Sequence, residues 1–287
     1  MNVTTQPGRS VLLEVCVDSV ESALHAARGG AHRLELCSNL GLGGGTTPSL
    51  GLLRAVQKAL SAESFSLPIM TMVRPRVGDF LYSEYEIDTM VQDIEVFKAS
   101  GAKGVVFGVL TAEGRVDVNS TKRLVEASLP LEVCFHRAFD MTVSAKEAFR
   151  DIMTIGSGVT RILTRFSYSL QSDLLVTHGH FNSGQTSLVT EALPMVKELM
   201  DLRDALDGPI IMPGSGVNAQ TAEKILASLY SSGLSEIHMS GGGWIDSRMA
   251  HQPEGMCMGV SEVREWCIWR TSNSAVREVR QKLDSLS

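Results

Sequence analysis

Short apolar runs alternate along the chain with longer segments whose apolar positions recur at helical spacing. Val11–Val17, Arg33–Cys37, Leu67–Pro75, Gly104–Leu110, Leu131–Ala138, Arg161–Phe166, Pro209–Pro213 and Glu236–Ser240 read as eight strands. The segments between them read as helices. The first ends at Gly29-Gly30. A second runs to about Leu60, with Thr47 as N-cap and Pro48 at the first helical position. Further helices are predicted over Glu84–Ala99, closed by Gly101, and over Val118–Ser128, Ser144–Ile155, Leu188–Leu206, Ala219–Ser231 and Ser274–Leu283. Eight strands, each followed by a helix or a loop, is the count of a closed parallel (β/α)8 TIM barrel, an α/β fold of one domain. An open doubly wound sheet is the rival. Its glycine fingerprint is missing after the first strand, where Val17-Asp18-Ser19-Val20 stands instead. Polar side chains gather at the predicted strand ends: Cys16, Asp18, Cys37, Ser38, Arg74, His136, Arg137, Thr164, Ser215, His238 and Ser240. Strand ends converge in a barrel, at the face where such folds keep their sites.

One short pattern repeats. Leu13-Glu14-Val15-Cys16 and Leu34-Glu35-Leu36-Cys37 carry Glu and Cys at i and i+2 on consecutive strands, and Leu131-Glu132-Val133-Cys134 repeats the tetrapeptide, with His136 in the same phase. Side chains two apart on a strand share a face, so one face is acidic and bears thiols. If the first two strands are parallel neighbours, their Glu–Cys pairs stand side by side at the strand spacing of about 5 Å.

Composition narrows the function classes. The 287 residues are 44% apolar and 20% charged with a net charge of −6, and no basic block is present. That excludes nucleic acid and anionic membrane as main partners. The first ten residues lack a charged-then-apolar signal pattern and are read as a flexible N-terminus, while Glu14 and Asp18 interrupt the only nearby apolar run. An intracellular protein is expected. Five scattered cysteines, an odd number, do not form a secreted disulfide framework and are read as free thiols.

The runs EVCVDSVESA, GGAHRLELCS, GGTTPS, RPRVGDF and FHRAFDM, with MPGSGV near the seventh strand and His238 on the eighth, resemble the CutC family of copper homeostasis proteins, in order from about Leu12 to Met239. The resemblance implies a TIM barrel over 11–287 that forms homo-oligomers, dimer or tetramer, in the cytoplasm, with the nucleus as a candidate additional location. It implies that the chain can bind Cu(I), as the animal members do. The cysteines implicated there match Cys16 and Cys37, and no reaction is assigned to the family's enzyme-like pocket. The chain departs from the family pattern at Leu163-Thr164-Arg165-Phe166, at a polar insertion near 167–187, at Met239 where relatives can carry Cys, and in a poorly matched, irregular tail from Trp244.

The choice of Cu(I) also has a physical basis. Cu(I) is soft, prefers thiolate or thioether donors and accepts few of them, so two cysteines on adjacent strands suffice where structural zinc wants four ligands. A buried cysteine taken singly is more often a small core residue. The carboxylates point to a second reading. Glu14, Glu35, Arg74, Glu132 and His136 fall on predicted strands, where charges are rare unless paired or used. A salt-bridged structural layer fits Glu132. His136, at a strand end, suits a general acid or base, with Arg74 as an anion clamp, Asp140 to orient either and Glu14 and Glu35 around a substrate. On that reading the barrel is a lyase or isomerase acting on a small anionic or phosphorylated metabolite. Gly214-Ser215-Gly216 and Ser240-Gly241 follow the last two strands, where barrels often hold phosphate on backbone N–H groups. His178-Gly179-His180, in a polar loop, and Cys257 and Cys267, beside tryptophans, are weaker candidates. The thirteen methionines read as core filler.

Overall fold

The computed structural model describes residues 10–165, 189–255 and 265–285. Eight strands, β1 (Leu12–Val17), β2 (Arg33–Leu36), β3 (Ile69–Met72), β4 (Gly104–Phe107), β5 (Glu132–Phe135), β6 (Arg161–Thr164), β7 (Ile210–Pro213) and β8 (Glu236–Met239), form one parallel sheet in the order β7-β6-β5-β4-β3-β2-β1-β8. β7 and β8 lie in contact, so the sheet is nearly closed on itself. This is the TIM barrel, and the doubly wound alternative is excluded because β1 sits between β2 and β8.

The helices are α1 (Val20–Arg28), α2 (Leu40–Gly43), α3 (Leu50–Ala62), α4 (Glu84–Ala99), α5 (Val118–Ser128), α6 (Ala145–Thr154), α7 (Leu193–Leu206), α8 (Ala219–Leu229) and α9 (Asn273–Asp284). Local chemistry sets their ends. Ser83 and Glu86 form a reciprocal capping box at the start of α4, and Asp117 caps α5. α3 starts later than expected. Its cap is Ser49, whose hydroxyl accepts from Leu52 N, while Thr47 is drawn away to accept from Arg74 N at 3.0 Å. Leu53, Val56 and Leu60 then bury one face of α3 against the barrel. Among the described residues, no helix is long and apolar enough to cross a membrane.

The tail is more regular than its sequence suggests. β9 (Gly242–Ile245) pairs antiparallel with β10 (Ile268–Thr271), and the Trp244 and Trp269 rings meet edge to face at 5.4 Å. α9 packs on α1 so closely that a Cβ at Gly29 would lie 2.7 Å from Val276 Cβ. The 167–187 insertion, His178, His180 and Cys257 lie outside the described residues.

The barrel interior has two tiers. A lower, ionic tier joins Glu14, Arg33, Glu236, Arg161 and Glu132. Arg33 donates to Glu14 and Glu236, and Arg161 donates to Glu236 at 3.0 Å and to Glu132 at 2.6 Å. Glu132 is thus the structural ion-pair residue that its position deep in the strand suggests. Above it sits a cluster rich in sulfur: Cys16, Cys37, Cys134, Met70, Met72 and Met212, with Val106 and Leu163. Gly104 makes room for this filling. A Cβ there would lie 2.3 Å from Met70 Cε and 2.5 Å from the Glu132 carbonyl oxygen, and the backbone atom cannot give way. Gly104→Ala is therefore expected to lower stability by about 1–3 kcal/mol, read as a lower urea midpoint at unchanged m-value. An unchanged midpoint would mean that β4 and β5 can separate without cost.

Candidate metal centre

The register between β1 and β2 decides which groups meet at the barrel mouth. Glu14 is paired with Arg33 and Cys16 with Glu35. The two Glu–Cys repeats share a face but are offset by two residues, because tilted strands in a closed barrel are staggered. The expected side-by-side cysteine pair does not form. Cys37 lies one residue beyond the end of β2, fully buried, with Sγ 3.7 Å from Glu35 Oε2.

His238, at the end of β8, is what Cys16 meets. β8 flanks β1 on its other side, with Glu14 paired to His238. Cys16 Sγ, a Glu35 carboxylate oxygen and a His238 ring nitrogen lie within 4.8 Å of one another, and all three residues are buried. The His238 ring is fixed by Glu14, whose Oε1 is 2.8 Å from Nδ1. Nε2 is thereby left toward Cys16 and toward Glu35, whose Oε2 is 3.7 Å away.

The charges are strongly coupled. For Glu14, burial opposes ionisation, but Arg33 and His238 outweigh it and hold the carboxyl at about 2. For Glu35, burial wins, reinforced by the nearby Glu14 charge, and the carboxyl is pushed up to about 7. Its Oε1 is buried and without a partner. Burial also raises the Cys16 thiol, and raises Cys37 further because Glu35 lies beside it. Burial alone would depress His238, yet the groups facing it, Cys16, Glu14 and Glu35, keep it well above the usual histidine range. With Cys16 a thiol at neutral pH, the Glu14 carboxylate supplies the persistent negative charge.

This cluster opens on a cavity of about 570 Å³ lined by Cys16, Glu35, Arg74, His136, Arg165 and Trp269, among others. Several expected site residues take different parts there. Arg74 is buried, but its guanidinium is occupied: Nη1 donates to the carbonyls of Gly43 and Gly45 and Nη2 to that of Gly78, leaving Nε unpartnered. It holds the β2–α3 loop to the β3–α4 loop. His136 Nδ1 accepts from Ala138 N at 3.2 Å, so the neutral ring carries its proton on Nε2, which has no partner among the described residues. Burial and the Arg74 charge lower His136 to about 3, which makes it a neutral donor at physiological pH rather than a base. Asp140 orients neither of them. It accepts from Thr164 Oγ1 at 2.7 Å, Arg165 N at 3.0 Å and Arg137 Nε at 3.0 Å. Of the glycine-rich turns, Ser215, Gly216 and Ser240 line the cavity, whereas Gly214 packs against Leu163 and His238, and Gly241 turns the chain into β9. Cys267 lies beside Asp246 on the outer ribbon, Sγ 3.7 Å from Oδ1.

Sequence reasoning gave His238 no role and missed Arg33, Arg161 and Glu236. A signal existed, since each lies on a predicted strand in the inward phase of Glu35, Leu163 or His238, where a charge needs a partner.

Fold and site together define a (β/α)8 barrel with a buried thiol, imidazole and carboxylate gathered at its C-terminal mouth. The chain belongs to the CutC family, whose model matches residues 11–243. It is 41% identical over 254 residues, 88% of this chain and 82% of the other, to a copper homeostasis protein cutC homolog of Mus musculus. It is 38% identical to a family protein CutC of Chromobacterium violaceum, covering 95% of this chain and 98% of that one. Among solved structures, a copper homeostasis protein CutC from Streptococcus agalactiae superposes with a TM-score of 0.64 at 27% identity, over 80% of this chain and 98% of that one.

Proposed function

We propose that the protein binds Cu(I) as its cargo in copper homeostasis, through Cys16 Sγ and His238 Nε2. The observation that carries this is the meeting of Cys16, His238 and Glu35 within 4.8 Å. The donor set fits the ion: Cu(I) takes thiolate and imidazole and is satisfied by few ligands. The buried, sulfur-rich tier beneath, with Cys37 and Met72, offers further soft donors. Glu14 orients the imidazole from behind, as ligating histidines require. The ligand atoms must shed protons to bind a metal, so affinity is expected to strengthen as pH rises. The proposal carries the expectation of a cytoplasmic homo-oligomer.

Anaerobic Cu(I) competition titration against a colorimetric chelator tests it. Cys16→Ala is expected to abolish tight binding and His238→Gln to weaken it by about tenfold or more, while Cys37→Ser changes it by no more than about threefold. Equal loss in Cys37→Ser and Cys16→Ala would instead establish the paired-thiol site. Tight binding retained by Cys16→Ala would remove this cluster as the copper site, as would Zn(II) displacing bound Cu(I).

One observation favours a second reading, a barrel enzyme. Glu35, near 7, lining the cavity and with a buried Oε1 that has no partner among the described residues, has the state of a general acid–base at neutral pH. On this reading Glu35, rather than His136, moves the proton. Glu35→Gln would then abolish turnover and change Cu(I) affinity by no more than about threefold.

A further inference from the structure

Across the cavity from the thiol cluster, the wall built by the ends of β5, β6 and β7 has the opposite character. These strands are consecutive in the sheet, so His136 and Arg137, then Thr164 and Arg165, then Ser215 and Gly216 follow one another around the rim. Arg137, Arg165, His136, Ser215 and Gly216 all line the cavity.

Three independent features of this wall point to a negatively charged occupant. The first is charge. Arg137 and Arg165 share a single carboxylate, Asp140, whose Oδ2 is 3.0 Å from Arg137 Nε and 3.7 Å from Arg165 Nε. Among the described residues, one guanidinium charge is left over. Arg165 feels it, since burial and the neighbouring Arg137 charge lower its pKa. In a chain of net charge −6, this is a local positive field inside a concave, partly apolar site, where field lines are focused. The second is the donor on His136. Its ring is buried beside the cavity that it lines, its Nδ1 is fixed as an acceptor, and its Nε2–H has no partner among the described residues. A buried donor without an acceptor is costly unless a ligand supplies one. The third is backbone geometry. Ser215 and Gly216, both on the cavity, have φ of 80° and 67° and are consecutive left-handed residues. Serine adopts that conformation at a cost, and such strain is found where a site requires it.

We infer that this wall binds the oxyanion group of a small organic anion, a phosphomonoester, with His136 Nε2–H, the Arg137–Arg165 pair and the Ser215–Gly216 amides as donors. The organic body lies along Phe80 and Trp269, which line the same cavity. Its volume of about 570 Å³ suits a metabolite rather than a bare ion. Asp140 is a positioning residue here, because its oxygens fix both arginines and the Arg165 amide. The copper reading is not required for this inference, since none of these donors belongs to the thiol cluster.

The test is calorimetric titration of the metal-free full-length protein with 2-phosphoglycolate and, separately, with inorganic phosphate. The wild type is expected to bind 2-phosphoglycolate more tightly than phosphate. Arg165→Met is expected to weaken it by about tenfold or more, the loss of a charge-assisted hydrogen bond. His136→Asn supplies a second, milder variant: the Asn carbonyl can still accept from Ala138 N, while the Nε2–H donor is gone. It is expected to weaken binding by about fivefold or more with an unchanged melting temperature at pH near 7.5. Equal affinity for the two probes would overturn the organic anion in favour of free phosphate. Failure of the wild type to bind either, or equal binding by wild type and both variants, would overturn the site. Because the protein is metal-free, a failure of copper binding at Cys16 leaves this readout unaffected.

Discussion

Arg33→Met is expected to destabilise the barrel by about 3–5 kcal/mol at neutral pH, the cost of removing one partner from a buried ion network. Arg33 is buried at the lower tier, where it donates from Nε to Glu14 and from Nη2 to Glu236 and contacts Met212 Sδ at 3.4 Å. Methionine occupies much of the volume but cannot donate to Met212 Sδ as the guanidinium does, and it leaves two buried carboxylates without their shared cation. Arg161 still reaches Glu236, at 3.0 and 3.2 Å, and His238 still reaches Glu14. Neither replaces the lost guanidinium, because both are already engaged. Glu14 sits near 2 largely because the Arg33 charge offsets its burial, so in the variant its carboxyl rises steeply. The deficit should therefore shrink on acidification, as Glu14 takes up a proton. Urea unfolding and a fall in melting temperature on the order of 10 °C would register the effect. A change below about 1 kcal/mol would show that the remaining four members of the tier rearrange to share their charges. On the proposed copper reading the same variant also weakens Cu(I) binding, since Glu14 is what holds the His238 ring in place.

The sequence carries faces better than it carries registers, and this one chain shows why. Period-two alternation placed Glu14, Cys16, Glu35 and Cys37 on the inner face of neighbouring strands, and the structure keeps all four there. Which of them are neighbours depends on the stagger of a closed barrel, a property of the whole ring that no single strand encodes. A shift of two residues replaces a cysteine pair by Cys16 beside Glu35. His238 comes from the far end of the chain and joins only because β8 closes against β1. Long helices were legible because a capping signal and an apolar stripe agree: the bounds read for Glu84–Ala99 and Val118–Ser128 are those observed. Strand ends were read too long, as in Leu67–Pro75 against Ile69–Met72, because apolar residues continue into loops that pack on the barrel. The outer ribbon was missed altogether. Its strands are four residues each, one begins with two glycines, and neither has a strong pattern of its own. Arg74 shows a related limit: a lone arginine at a strand end reads as a ligand clamp, and only the packed loops show that three backbone carbonyls take its Nη groups.

His136 gives the protein an acid-sensitive element whose sign follows from its burial. The folded state holds the ring neutral down to about 3, against an ordinary value of 6.5, because burial and the Arg74 charge both disfavour the cation. Between those two values the unfolded chain binds a proton that the folded chain refuses, so stability falls as pH drops from 6.5 toward 3. Each pH unit in that window costs about 1.4 kcal/mol for one proton. Glu14 acts in the same direction over a lower window, from 4.5 to about 2, because its folded-state carboxylate is stabilised. Glu35 acts oppositely: its folded-state value near 7 lies above the ordinary 4.5, so acidification through that window favours the folded state. His238, raised by its anionic neighbours, contributes stability that is complete below 6.5 and is lost as pH rises through its folded-state value. The effects of Glu14, Glu35 and His238 are present in both wild type and His136→Asn, so comparing the two isolates residue 136. Urea unfolding of both proteins from about pH 7 to about pH 4 should show the wild type losing about 3–4 kcal/mol more than the variant, with the curves converging toward neutral pH. Parallel curves would mean that the folded protein accepts a proton at His136. Its Nδ1 would then have let go of the Ala138 amide, and the donor on which the anion site depends would be a cation instead.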